Sequence, residues 1–375
     1  MRIDTVLLKV ASRCNLDCSY CYVYHMGDTS WRAMPKFMAR QTQTLIADQL
    51  SGLFTAQAHP FAVVLHGGEP LMLGDQRLRV LFETLREGLP SVCPIGIQTN
   101  GVLLKRPILD LCATFGVSLS VSLDGPANVH DKNRVNHLGH ASHAAVIAGL
   151  ANLKSHPSAA ALFSGVLAVV DPTSDPTDIY SYMKSVGVPS IDFLYRDGNR
   201  TTLPYGKLSV ESTEYGRWMS KILDHYLADP NPPRIRILDD MIKLILGGAG
   251  VKEGIGLTDF GIVVIDTDGS FTKNDTLKST LLGDRFDGSW TVYSHKLAEV
   301  VRSPEFLAYH EAQRPSSPAC MACPELAVCG GGMLTHRFDS ERGYDNPTVF
   351  CSDQKLLIER MRRYVAGHLS RRAAA

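Results

Sequence analysis

At 375 residues and 45% hydrophobic composition, the chain can bury a large core and is long enough for one barrel-sized domain plus a smaller one. Its 38 basic and 38 acidic residues cancel, so no net field points to nucleic acid or a membrane surface as a partner. No run approaches the ~20 apolar residues of a membrane helix, and Met1-Arg2-Ile3-Asp4 leads directly into a strand rather than a signal peptide; the expected location is the cytoplasm.

Apolar, β-rich runs at residues 5–10, 62–65, 95–98, 117–122, 164–170 and 191–194 read as buried parallel strands. Between them, residues 41–54, 76–88, 107–115, 143–156 and 176–186 carry helical spacing. Six strands joined by five crossovers predict an α/β fold, a partial (β/α)6 TIM-like barrel. In such sheets the loops after the strands carry the site. Here those loops are a three-cysteine segment after the first strand, His66-Gly67-Gly68-Glu69-Pro70 after the second, Thr99-Asn100-Gly101 after the third and Asp124-Gly125-Pro126 after the fourth. From about Asp197 the alternation stops. Helical segments at 215–227 and 239–246 follow, then a hairpin from 262 to 266 turning at Thr267-Asp268-Gly269, a cysteine-rich region and a helix from 354 to about 368. The expected domains are 1–200, a helical bridge 201–258 and 259–375.

Seven of the nine cysteines fall in two tight groups, which in a reducing compartment indicates metal ligation more readily than disulfides. Cys93 and Cys112 stand outside both and are expected to be small buried hydrophobes. The first group, Cys14-x3-Cys18-x2-Cys21, flanked by Tyr20 and Tyr22, lacks a fourth zinc ligand unless His25 supplies one; three thiolates fit an iron–sulfur cube with one iron left open. The second, Cys320-x2-Cys323-x5-Cys329 with the distant Cys351, could close a zinc site or fully ligate a cluster.

The first spacing resembles the signature of radical S-adenosylmethionine (radical SAM) enzymes, and Gly67-Gly68-Glu69-Pro70 resembles their methionine-binding segment. The resemblance implies a [4Fe–4S] cluster on Cys14, Cys18 and Cys21, with SAM on the open iron as the source of a 5'-deoxyadenosyl radical. It further implies that Gly67 and Gly68 admit the methionine amino group, that Glu69 accepts from that group or fixes the loop, and that Ser122 meets the ribose. Arg134 would pair with the carboxylate, and Tyr20 and Leu194 would lie against the adenine. Read one at a time, Ser122 is equally a strand-end hydroxyl, Arg134 a surface arginine and Leu194 plain core.

The second group resembles the last cluster of a SPASM domain, implying one auxiliary [4Fe–4S] cluster on Cys320, Cys323, Cys329 and Cys351. The inner cluster of a full SPASM domain has no ligands here, since Met333 and Asn274 stand where cysteines would be. Asp275, next to Asn274, aligns with a proton acceptor in related peptide-oxidising enzymes; the alternative is a carboxylate capping the end of the hairpin.

Longer stretches, residues 21–28 with Ser30-Trp31-Arg32, Asp275-Thr276-Leu277-Lys278, Cys329-Gly330-Gly331-Gly332 with His336-Arg337, and 346–351, are similar to the FxsB-type and GrrM-type maturases that form three-residue cyclophanes. That resemblance implies a ribosomal precursor peptide as substrate and a carbon–carbon cross-link from an aromatic ring to a nearby β-carbon. It also implies an external electron donor such as flavodoxin or ferredoxin. No leader-recognition module is expected ahead of the first strand. Trp31 and Arg32 would line the substrate channel or pack it. The rival readings are another SPASM maturase forming a thioether, an epimerised centre or an oxidised side chain, an electron-transfer protein, and a zinc-binding interaction protein.

Overall fold

The computed structural model describes residues 1–373 and divides them into two compact units. The first comprises Met1–Leu123, Ala127–Leu167 and Phe260–His310. The second comprises Asp124–Pro126, Ala168–Asp259 and the described residues from Glu311 onward.

In the first unit, β1 (Thr5–Ala11) pairs in parallel with β2 (Ala62–Gly67), β2 with β3 (Ile95–Thr99), β3 with β4 (Val117–Ser122) and β4 with β5 (Phe163–Val169). The α/β reading is therefore correct. Every crossover carries a helix whose apolar stripe matches its register. Asp75–Gly88 buries Leu78, Leu81, Phe82 and Leu85, the i, i+3, i+4, i+7 pattern of a helix with one covered face. Arg106–Phe115 starts on Pro107 and stops at Gly116, whose φ of 62° lies in the left-handed region. Cys93 and Cys112 are both fully buried, as expected of small apolar side chains.

The hairpin at residues 262–266 does more than turn back on itself. Its first strand, β8 (Ile262–Ile265), lies parallel to β1 on the side opposite β2, and β9 (Phe271–Thr272) runs antiparallel to β8. The fully apolar Ile262-Val263-Val264-Ile265 is buried throughout, the character of a strand covered on both faces. This places the ends of β8 and β9 beside the end of β1, where the three-cysteine loop begins.

The second unit holds β6 (Ser190–Leu194) and a short parallel β7 (Arg234–Ile235), the latter too brief to leave a periodic signal. Pro176–Val186 opens under an Asp175 side chain that accepts from Thr177 N–H and closes at Gly187. Glu214–Ala228 packs on the final helix around a buried pair, Lys207 Nζ to Asp353 Oδ2 at 2.6 Å, and Asp353 Oδ1 also accepts from Gly216 N–H at 2.7 Å. That final helix runs Cys351–Ala373, beginning three residues earlier than the sequence pattern indicates.

Gly149, in the helix His143–Lys154, lies against the carbonyl of Gly101; a Cβ there would sit 2.2 Å from that oxygen. Gly149→Ala should destabilise the protein by about 1–3 kcal/mol through overpacking, read as a lower urea midpoint at unchanged slope.

Candidate active site

The three-cysteine loop leaves the end of β1 and is fastened by backbone contacts that carry no motif. Asp17 N–H donates to the Val135 carbonyl at 2.7 Å, Ser19 N–H to the Asn133 carbonyl at 3.0 Å, and the Ser19 hydroxyl to Asn133 Oδ1 at 2.6 Å. His137 hydrogen-bonds the Cys14 carbonyl at 2.9 Å. Leu16 N–H lies 3.4 Å from Cys14 Sγ, and Asn100 Nδ2 lies 3.7 Å from the same sulfur while donating to Asn15 Oδ1 at 2.8 Å. Such donors are what a ligated thiolate needs. None of the three is in a disulfide, and all are half-buried and within electrostatic reach of one another. Burial, with Glu69 nearby, pushes Cys14 up to about 12, and burial pushes Cys21 up to about 11, so these two thiols hold their protons until a metal displaces them.

The glycine segment meets the same loop. A Cβ on Gly67 would lie 2.1 Å from the Ala11 carbonyl oxygen, and one on Gly68 would lie 2.2 Å from that of Arg13. Only glycines let the two backbones approach this closely, at the place where β1 bulges between Lys9 and Ala11. Glu69 Oε1 accepts from Leu71 N–H at 2.9 Å and from the Thr99 hydroxyl at 2.8 Å, and its Oε2 accepts from Asn100 N–H at 2.7 Å. Glu69 therefore clamps the loop after β2 to the loop after β3. Burial pushes its carboxyl up to about 6 against the pull of these donors.

Arg134 is buried, with its guanidinium 5.5 Å from the centre of the Tyr20 ring and within electrostatic reach of Cys21 and Glu69. It is not a surface arginine. Ser122, at the end of β4, accepts from Gln98 Nε2 at 3.0 Å. Leu194 belongs to the second unit, at the end of β6, where its carbonyl accepts from Val170 N–H at 2.9 Å. Trp31 packs edge-on against Tyr24 at 4.9 Å and under Arg13 at 5.0 Å, and the Arg13 Nη1 donates to the Trp31 carbonyl at 2.7 Å.

Beside this loop lies a buried charged cluster that the sequence reading missed. Lys9 Nζ is 3.6 Å from Asp266 Oδ2 and 3.5 Å from Asp275 Oδ2, with all three side chains at most 4% exposed. Burial opposes the charge on Lys9, but the carboxylates of Asp266, Asp275 and Asp284 overcome it and raise its pKa. Asp266 is held below the usual carboxylate range, chiefly by Lys9 and the Thr267 N–H against its burial. Asp275 Oδ1 accepts from the Tyr22 hydroxyl at 3.1 Å. The turn is capped by Asn274, whose Oδ1 accepts from Thr276 N–H at 3.1 Å, so Asp275 is free of that duty. Lysine within an apolar strand and aspartate at the end of Ile-Val-Val-Ile-Asp were the visible signals. The second unit's Cys320, Cys323, Cys329 and Cys351 also converge, because each of the other three sulfurs perturbs Cys329. Burial pushes Cys329 up to about 12. Among the described residues, no three His, Cys, Asp or Glu side chains are gathered tightly enough to hold a single metal ion. An iron–sulfur cube gives each thiolate its own iron and accepts a wider spacing.

Residues 8–171 match the Radical SAM superfamily model. This stretch is a radical SAM domain. The chain carrying it is an enzyme that works with [4Fe–4S] chemistry and SAM. Over 95% of its length it is 24% identical to a cysteine-type anaerobic sulfatase-maturating enzyme of Clostridium perfringens strain 13, covering 95% of that protein. The fold matches native anSMEcpe with bound AdoMet at a TM-score of 0.83 and 19% identity, covering 97% of this chain and 98% of that one. It also matches Streptococcus suis SuiB bound to precursor peptide SuiA at 0.64 and 12% identity, covering 93% and 76% respectively. No described helix is long and apolar enough to cross a membrane.

Lys9→Met should strand two buried carboxylates and cost roughly 3–5 kcal/mol. Urea unfolding of the cluster-free protein reads that loss. Converting Asp266 and Asp275 to Asn alongside it should restore most of the stability.

Proposed function

We propose that this enzyme modifies a side chain of a ribosomally made precursor peptide, forming a carbon–carbon cross-link between an aromatic ring and the β-carbon of a nearby residue. The observation that carries the reading is Asp275, a buried carboxylate held between Lys9 and Tyr22 beside the three-cysteine loop. Cys14, Cys18 and Cys21 would hold the SAM-binding cluster, and Cys320, Cys323, Cys329 and Cys351 the auxiliary one. Gly67, Gly68, Tyr20, Ser122, Arg134 and Leu194 would position SAM. When bound, these groups supply a 5'-deoxyadenosyl radical for hydrogen-atom abstraction and an acceptor for one electron. Domain limits of 1–200, 201–258 and 259–375, the last of SPASM type with one auxiliary cluster, complete the proposal, along with a cytoplasmic setting and a flavodoxin or ferredoxin as reductant.

The chain's own residues supply the acid–base part. A ring that has gained a carbon substituent must lose a proton to regain aromaticity. A carboxylate held in place beside a cation is suited to take it. Lys9 provides that cation at 3.5 Å, and Tyr22 fixes the other oxygen, leaving Asp275 Oδ2 as the accepting atom. Glu69, by tying two loops together, and the 133–137 segment, by holding the cysteine loop, keep the surrounding backbone rigid.

A second reading, oxidation of a serine or cysteine side chain to an aldehyde, is supported by the similarity to the sulfatase-maturating enzyme along almost the whole chain. It uses the same base. Tandem mass spectrometry of a co-expressed peptide with aromatic-x-x repeats separates the two. A cross-link removes two hydrogens per motif and suppresses fragmentation within three residues, whereas an aldehyde is captured by a hydrazide. Asp275→Asn should lower product formation by roughly 10²-fold or more, as loss of a general base does, while 5'-deoxyadenosine still forms. Full product at the normal rate from this variant would remove Asp275 from the mechanism.

A further inference from the structure

We infer that His66 is the proton exit for Asp275, relaying the proton taken from substrate out to solvent; this rests on the reading of Asp275 as the base. Lys9 and His66 are register partners on the parallel strands β1 and β2, so their side chains project from the same face of the sheet. His66 Nδ1 lies 4.0 Å from Asp275 Oδ2. Both atoms are buried and neither has a hydrogen-bond partner. The imidazole nevertheless keeps 22% of its side-chain surface exposed, against 2% for Asp275. One nitrogen thus faces the buried carboxylate while the ring reaches the open side.

The alternatives for a proton on Asp275 Oδ2 are few. Oδ1 already accepts from Tyr22. Lys9 is an ammonium stabilised by Asp266, Asp275 and Asp284 and has no lone pair to offer. The facing charged groups are therefore Lys9 on β1, Asp275 after β9, and, behind Lys9, Asp266 after β8. Burial and Lys9 lower the pKa of His66 against the opposing pull of Asp275, so the resting ring is neutral and able to accept. A separation of 4.0 Å closes by a small side-chain movement or through one water. The transfer balances: Asp275 carboxylic acid and neutral His66 become carboxylate and imidazolium, and the imidazolium then releases its Nε2 proton to water or buffer. Asp275 is reset for the next turnover.

The test compares wild type with His66→Gln and Asp275→Asn as reconstituted holoenzymes, using SAM and a synthetic peptide of aromatic-x-x repeats. Cross-linked product and 5'-deoxyadenosine are quantified across the range of about pH 5 to 8 in which imidazole changes charge. His66→Gln should form 5'-deoxyadenosine in a single turnover at the wild-type rate. Its product should fall roughly tenfold, a smaller loss than the 10²–10⁴ assigned to a general base itself. The acidic limb of its pH profile should vanish, and added imidazole should restore turnover. An unchanged rate and pH profile would overturn the relay, as would a parallel loss of 5'-deoxyadenosine, which would mean that His66 serves SAM. If Asp275→Asn is inactive while His66→Gln is normal, only the relay falls; if Asp275→Asn is fully active, the base and the relay fall together. A readout that needs no substrate is the pH dependence of diethyl pyrocarbonate modification at His66 in the holoenzyme. Its midpoint should move down in Asp275→Asn, and an unmoved midpoint would contradict the coupling.

Discussion

The site depends on a buried cation in the first unit: Lys9, within a strand whose other buried residues are apolar, facing Asp266 and Asp275. A buried ammonium and two buried carboxylates cannot each stand alone, because desolvation of an unpaired charge costs several kcal/mol. Together they fix three segments that are remote in sequence, namely β1, the end of β8 and the turn after β9. The parallel β1–β8 pairing makes the meeting possible. The tie costs conformational freedom at the place where the enzyme needs order, since the strand that carries Lys9 continues into the cysteine loop.

What the sequence discloses and what it hides follow from the range of the interactions involved. Cys14, Cys18 and Cys21 are legible because ligands on one loop must obey a local spacing. Gly67 and Gly68 are legible because close backbone approach leaves glycine as the one tolerated residue. The six strands and their crossover helices are likewise written in local periodicity. Lys9, His66, Asp266 and Asp275 are single residues on four segments, and no local rule joins them. Asp275 came into view only by resemblance, and even then its competing role as a turn cap was open until Asn274 proved to hold that position. Arg134 could equally have been a surface residue, because its burial against Tyr20 depends on the 133–137 segment folding over the cysteine loop. The β8 strand was read as half of a hairpin, and its parallel partner β1 lay far outside any window that a periodicity argument can use.

The departure at Asn274 also acquires a physical sense. Asn274, in place of a cysteine, caps the turn through Thr276 N–H and so presents the next residue, Asp275, toward Lys9 and Tyr22. Asn274 thus has a structural duty, and the carboxylate beside it is held by charge. The cross-linking and aldehyde-forming readings both begin at a substrate β-carbon and both release a proton; they differ in whether that carbon then bonds to a ring or doubly to its own heteroatom. That difference belongs to the peptide, so the enzyme's own residues define the class of chemistry more sharply than the product.

The central claim, radical abstraction at a peptide β-carbon followed by proton loss to Asp275, is tested most directly by isotope transfer. A peptide of aromatic-x-x repeats deuterated at the β-carbons is incubated anaerobically with the reconstituted enzyme and SAM. The account predicts one deuterium in 5'-deoxyadenosine for each cross-link formed. Cross-linked peptide with no deuterium in the 5'-deoxyadenosine would contradict it.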